Sequence, residues 1–376
     1  MWGRMRDRVR VAVTFEQCWH RVPGGTARAA IETTAALVRR HPELDLVGVS
    51  ARHRRPPPAS HTPPVPVSQL RLPRRALYDA WHHLRRPAVS GATGPVEVIH
   101  ATGSAMPPRS APIVWTLHDL AWRRDPSTFT RRGVRFFEAA LGLARRDADL
   151  VLCSSQATID DAVTAGLPAE RLRLVPLGVR IVAVTPAEVA AARRRHALDR
   201  PYVLSVGTAE PRKNLGRLVA AFATPALARR DLDLVVVGPR GWNEDAPVPG
   251  DRLGDRLRSV GFVPDLELAA LYAGAAVFAY PSLWEGFGLP VLEAMAQGAP
   301  VVTSAGTTMA DVSGSDGAVL VDPLDPLAIA AGVARVVDDP GLADRLRAVG
   351  HRRAADHTWD RTADLTASAY AELVQS

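Results

Sequence analysis

Along the chain, short runs of β-branched and aliphatic residues alternate with longer stretches whose apolar positions recur at helical spacing. In the first half the short runs cover residues 9–15, 45–50, 96–100, 113–118, 149–153 and 172–175, separated by helical patterns such as 26–40 and 131–146. A second series follows Pro186, at 202–206, 233–237, 276–280, 300–303 and 318–321. Runs this apolar predict parallel strands buried on both faces, and their alternation with helices predicts doubly wound α/β sheets. Two series predict two Rossmann-like domains, for which 376 residues suffice. The break is expected between Gly178 and Pro186, where the helical run AEVAAARRR begins. Ligands of open α/β sheets bind beyond the carboxyl ends of the strands, so two such domains facing each other predict a cleft that holds the site. Residues 52–75 break the pattern: they carry too many prolines for a helix or a central strand and are expected to form a mobile loop.

Composition changes this picture little. Hydrophobic residues make up 47% and charged residues 23%, as in ordinary globular proteins, and no apolar run approaches the roughly 18 residues that span a bilayer. The first residues lead into a strand without a signal-peptide core, so a cytoplasmic location is expected. Cys18 and Cys153 are too few and too isolated for a disulfide framework or a zinc site, and read as small residues near strand ends. Charge is more informative. Residues 1–185 carry 27 Arg against 15 acidic residues, a balance of +12, whereas residues 186–376 carry 19 basic against 24 acidic, a balance of −5. The basic first half is compatible with nucleic acid, an anionic membrane surface, a phosphorylated acceptor, or a solvated face in an Arg-rich chain. Among 46 basic residues, Lys213 is the one lysine.

Four motifs carry candidate chemistry. In AYPSLWEGFGLPVLEAMAQGAPVV a strand is expected to end at Tyr280, a glycine-rich loop to carry Glu285, and a helix to run from near Gly288 to about Gln297. A helix start with Gly286 and Gly288 offers free N–H groups to an anion such as a diphosphate. Glu293, five residues further on, lies about 7 to 8 Å along the axis, a step that suits the ribose of a nucleotide. Carboxylates accept hydrogen bonds from paired sugar hydroxyls, so the spacing suits a sugar nucleotide. VLSVGTAEPRKNLGRLVAAF places Glu210, Arg212 and Lys213 in a loop at a strand's carboxyl end, where two adjacent cations can neutralise a leaving diphosphate. WTLHDLAW puts His118 at another strand end with Asp119 beside it, and His100 ends a neighbouring strand in VIHATG. VPGGTARAA opens the first long helix with Gly24 and Gly25, a turn that lets backbone approach a ligand. No full dinucleotide fingerprint and no GxxxxGK[ST] occurs, so neither an NAD enzyme nor a P-loop ATPase is supported.

Glu285, Gly286, Phe287, Gly288, Glu293, Ala294, Gly298, Pro300 and Val301, with the EPRKN and TLHDL segments, resemble the retaining glycosyltransferase family 4. The resemblance extends over nearly the whole chain and is densest over residues 202–320. It implies a GT-B fold: an acceptor-side domain over 1–182, a sugar-nucleotide domain over 183–358, and a last helix over 359–376 crossing back to the first domain. It also implies that Glu285 holds the donor sugar and Glu293 the ribose hydroxyls. Gly207, Thr208, Arg212 and Lys213 would line the diphosphate, together with Gly286, Phe287, Gly288 and Leu289. Backbone near Val263 would receive the nucleobase, His118 would orient the sugar, and Gly25 would lie near the reacting centre. Many members have Arg where this chain has Thr208, so the clamp is expected to be one cation short.

The implied reaction moves a sugar from a nucleoside diphosphate sugar to an acceptor hydroxyl with retention of configuration. It uses no metal and no resident cofactor. GDP-mannose is the donor that the EPRKN and TLHDL combination points to first. A glycan, a lipid-linked glycan or a small molecule is the expected acceptor, in polysaccharide, glycolipid or glycosylated-metabolite assembly. The basic first half suits peripheral contact with the inner membrane face, and nucleic acid is not an expected partner. The rivals are a GT-B-fold sugar-nucleotide epimerase, which would need acids and bases flanking C2 of the sugar, and a non-enzymatic sugar-nucleotide-binding protein.

Overall fold

The computed structural model describes residues 8–20, 24–239 and 253–375. It divides into two compact units, residues up to Gly178 together with Trp359 onward, and Val179–Thr358. The first division falls between Gly178 and Val179 and the second between Thr358 and Trp359. A capping box marks the start of the new unit's first helix: Thr185 Oγ1 accepts from the Glu188 N–H, the Glu188 carboxylate accepts from the Thr185 N–H, and Pro186 opens helix Pro186–Arg195.

The first unit is built on seven parallel strands: β1 (Val9–Thr14), β2 (Leu44–Ser50), β3 (Val67–Gln69), β4 (Val98–Ala101), β5 (Ile113–Leu117), β6 (Leu150–Cys153) and β7 (Leu172–Leu174). Their order is β3-β2-β1-β4-β5-β6-β7, so the direction of winding reverses between β1 and β4. Residues of β4, β5 and β6 such as Ile99, Trp115 and Val151 are buried and join Trp81, Met106 and Leu141 in one core. Helices Gly24–Arg40 and Trp359–Gln375 pack against each other, with Arg39 and Arg40 paired to Asp360 and Asp364.

Among its described residues the second unit holds six parallel strands, β8 (Tyr202–Val206), β9 (Asp233–Val237), β10 (Leu257–Gly261), β11 (Val277–Tyr280), β12 (Val301–Ser304) and β13 (Ala318–Val321). They lie in the order β10-β9-β8-β11-β12-β13, with the reversal between β8 and β11. Its core includes Val203, Phe222, Leu234, Ile329 and Val333.

Two strands escaped the sequence reading, and both are edges. Within the segment expected to be a loop, Val67–Gln69 pairs in parallel with β2, and the Pro66 carbonyl accepts from the Gly48 N–H at 2.8 Å. An edge strand needs donors on one side only, so prolines beside it are tolerated, and the loop expectation is corrected to that extent. Among the described residues β10 pairs only with β9, through a register shift between Ser259 and Gly261 that blurs its alternation.

Candidate functional site

The second unit gathers the chemistry at the carboxyl ends of β8 and β11. Glu285 is 7% exposed, and its carboxylate is enclosed by donors. Lys213 Nζ donates to Oε1 at 2.6 Å, Arg212 Nη1 to Oε2 at 2.8 Å, the Tyr280 hydroxyl to Oε1 at 2.9 Å and Ser282 Oγ to Oε1 at 2.8 Å. Arg212 Nε also donates to Glu210 at 2.9 Å, and Lys213 Nζ reaches the Tyr280 hydroxyl at 2.5 Å. Two cations and two carboxylates thus close into one neutral cluster. Burial alone would raise the Glu285 carboxyl, but the charges of Lys213 and then Arg212 outweigh it and hold the group down at about 2. Burial likewise pulls the Lys213 ammonium down, against the opposing pull of Glu285. The geometry favours the ionised pair, because each charge has its counter-ion and further hydrogen bonds.

The backbone explains how these side chains are held. Asn214 takes a left-handed conformation, φ 61°, and its Nδ2 donates to the carbonyls of Pro281 and Pro323 at 2.9 and 2.6 Å. The buried amide thereby ties the EPRKN loop to the loop that carries Glu285. Gly207 and Gly238 end β8 and β9 so close together that a Cβ on Gly238 would stand 2.1 Å from the Gly207 carbonyl oxygen. Gly288, φ 102°, precedes helix Leu289–Ala296, and a Cβ there would meet Met309 at 2.9 Å. Thr308 Oγ1 donates to the Glu285 carbonyl at 2.7 Å.

Other expected residues of this unit fall around the same strand ends. Gly286, Phe287 and Gly288 are buried in the loop before the helix, with Phe287 tilted against His357, and Leu289 is the first helical residue. Glu293 lies one turn into that helix, where the Tyr272 hydroxyl donates to it at 3.2 Å. Val263 is buried between β10 and helix Asp265–Ala273. Thr208 follows Gly207, its carbonyl accepting from the Glu210 N–H at 2.7 Å. Tyr280, Ser282, Asn214 and Thr308 were not selected from the sequence as site residues. The hydroxyl-rich AYPS run hints at Tyr280 and Ser282 and the Asn of EPRKN at Asn214, whereas Thr308 carries no local signal.

His118 belongs to the first unit and lines a cavity there with Thr33, Thr34, His100, Thr102 and Thr116. Its Nε2 stands 3.1 Å from the Thr102 carbonyl, which only accepts, so Nε2 carries the proton. Burial lowers its basicity, which leaves a neutral ring with a lone pair on Nδ1. His100 bonds Tyr370 of the C-terminal helix through Nδ1 at 2.6 Å and Thr116 through Nε2 at 2.7 Å. Gly25 is exposed in the first turn of helix Gly24–Arg40, with open space where a Cβ would stand. Val22 and Pro23 of its motif lie outside the described residues.

Comparison with known proteins gives two consecutive family matches, "Glycosyltransferase Family 4" over residues 23–183 and "Glycosyl transferases group 1" over 188–353. O-antigen chain mannosyltransferase B of Escherichia coli is 33% identical over 281 residues, which cover 73% of this chain and 74% of that protein. MMP alpha-(1->4)-mannosyltransferase of Mycolicibacterium hassiacum is 33% identical over 260 residues, 67% of this chain and 60% of that protein. Among solved structures, Anabaena Alr3699/HepE in complex with UDP and glucose aligns with a TM-score of 0.75 at 19% identity, covering 97% of this chain and 100% of that one.

Proposed function

Because the chain belongs to glycosyltransferase family 4 and is a glycosyltransferase of the GT-B fold, we propose that it transfers a hexose, mannose first, from a nucleoside diphosphate sugar to an acceptor hydroxyl with retention of configuration. The observation that carries the donor half of this reading is the Glu285–Arg212–Lys213 cluster beside the Gly288 helix start. A departing diphosphate gathers negative charge, and a site with two preorganised cations stabilises that charge where it develops. Without ligand the same cations are neutralised by Glu285 and Glu210, which lowers the cost of keeping them buried. In the proposed complex the diphosphate takes over part of that role and frees Glu285 oxygens to accept from sugar hydroxyls. Glu293 grips the ribose, and backbone near Val263 receives the base. Two mannosyltransferase relatives support mannose, and the Anabaena complex with UDP and glucose supports a sugar-nucleotide donor.

Replacing Lys213 or Glu285 by Ala is expected to slow GDP-mannose turnover on the order of 10²-fold or more, the usual consequence of deleting a group that stabilises developing charge. Turnover at the wild-type rate in both variants would remove the assignment. A melting-temperature screen against GDP-mannose and UDP-glucose identifies the donor, since ligand bound to the folded state raises its apparent stability. No helix among the described residues is long and apolar enough to cross a membrane, and the lipid contact proposed for the basic first unit is peripheral. Co-sedimentation with phosphatidylserine vesicles, lost in high salt, is the expected signature of such contact.

A further inference from the structure

The turns that leave β1, β2 and β3 bring together a group of side chains that the donor chemistry does not use. Glu16, in the turn after β1, is 5% exposed. One carboxylate oxygen, Oε2, accepts from the Ala51 N–H at 2.8 Å and lies 3.0 Å from His53 Nε2. The other, Oε1, is buried with no hydrogen-bond partner among the described residues. Leaving a carboxylate oxygen unpaired in the interior is expensive, so an orphan of this kind points to a partner that arrives from outside.

Its surroundings define what that partner is. The His53 ring stacks on Trp19 at 4.6 Å and 7°, and the Trp19 indole N–H is tied to the Arg55 carbonyl at 2.9 Å, so the aromatic pair is fixed in place and only partly buried. His20, next along the turn, is pushed down to about 4 by burial and then by the charges of Arg74 and His53, and so stays neutral at physiological pH. Among the described residues no group of three or more His, Cys, Asp and Glu side chains is arranged to hold a metal ion. A buried carboxylate acceptor beside a rigid aromatic plate and a neutral imidazole matches a pyranose: hydroxyls donate to the carboxylate and the C–H face lies against the rings. The position also agrees, since ligands of open parallel sheets sit beyond the strands' carboxyl ends.

We propose that Glu16, with Trp19 and His53, forms a hydroxyl-binding subsite for the acceptor, and that the acceptor presents a pyranoside there. The inference deepens the transfer reading above and rests on it for the word acceptor. Glu16→Gln tests it narrowly. The amide oxygen can still accept from Ala51, but an N–H₂ donor then occupies the place of the orphan oxygen.

Saturation-transfer NMR on the full chain, with methyl α-D-mannopyranoside as probe and no donor present, reads binding directly. The wild type is expected to saturate the probe. Glu16→Gln is expected to weaken binding at least about 10-fold, the scale of one lost charge-assisted hydrogen bond. Trp19→Ala, at a half-buried ring, is expected to weaken it as well while leaving the carboxylate in place. No saturation in the wild type, or equal saturation in the wild type and both variants, overturns the subsite. The melting response of the wild-type chain to sugar nucleotides reports separately on the donor reading. A chain that binds the glycoside through Glu16 but ignores every sugar nucleotide would keep the subsite and lose the transfer reading.

Discussion

Lys213 is the one lysine among 46 basic residues, and the structure gives a reason for an ammonium at that position. Nζ bonds both the Glu285 carboxylate and the Tyr280 hydroxyl while standing 5.2 Å from the centre of the Tyr280 ring, a compact geometry that a planar guanidinium does not reproduce. Lys213→Met keeps the bulk and deletes the charge, leaving buried Glu285 to Arg212 and two hydroxyls. A loss of about 3 kcal/mol in the second unit's stability is expected, at the lower end for breaking a buried pair because one cation remains. Adding Glu285→Gln should recover part of that loss, since the double variant leaves no buried carboxylate short of a partner. Urea denaturation of the single and double variants measures the coupling, and strictly additive losses would contradict it. Glu285 and Lys213 were legible in the sequence because each sits in a dense motif. Their mutual contact was not: the two lie 72 positions apart, and their motifs point one to the sugar and the other to the diphosphate. Thr308 was invisible, because a threonine 23 positions from Glu285 carries no local signal of the hydrogen bond that makes it relevant.

At the level of elements, central strands were readable because burial on both faces imposes an uninterrupted apolar run, as in IVWTL of β5 and LVLC of β6. The edges β3 and β10 were not, since β3 is three residues long in a proline-rich stretch and a register shift interrupts β10. The C-terminal helix contributes more than a cover. Tyr370 is fully buried and bonds His100, linking Trp359–Gln375 to β4 in the interior, while Arg39, Arg40 and His41 hold Asp360 and Asp364 at the surface. The exposed pairs contribute little, whereas losing the buried hydroxyl leaves an imidazole nitrogen unpaired. Tyr370→Phe is therefore expected to cost about 1 to 3 kcal/mol, and Arg40→Ala clearly less. Chemical denaturation of the two variants compares them, and the reverse order would show that the helix is held from outside.

Over the whole molecule, folding redistributes charge that the sequence had divided by halves. The acidic C-terminal helix joins the basic unit, which then carries 27 basic against 18 acidic residues, +9, and leaves the second unit with 19 against 21, −2. The two units also differ in their titrating groups. In the first, burial is the leading cause that pushes His20 and His82 down to about 4, His100 to about 3, and His118 down as well. In the second, Glu285 is held at about 2. A histidine whose folded pKa lies below its unfolded value of 6.5 binds fewer protons folded than unfolded, so stability falls as pH drops below 6.5 and keeps falling until the folded pKa is reached. For His100 that window runs from 6.5 to about 3 and costs about 1.4 kcal/mol per pH unit. Glu285 has the same sense in a lower window: its contribution is intact above the unfolded pKa of 4.5 and disappears as pH falls toward 2. Acidification from pH 7 to 5 should therefore weaken the first unit through its histidines while the Glu285 cluster stays intact. Hydrogen exchange at pH 7 and pH 5, corrected for intrinsic rates, is expected to show protection falling in β4 and β5 before it falls in β8 and β11. His100→Asn should flatten the first unit's dependence by about one proton, and an unchanged slope would mean that His100 is protonated in the folded state.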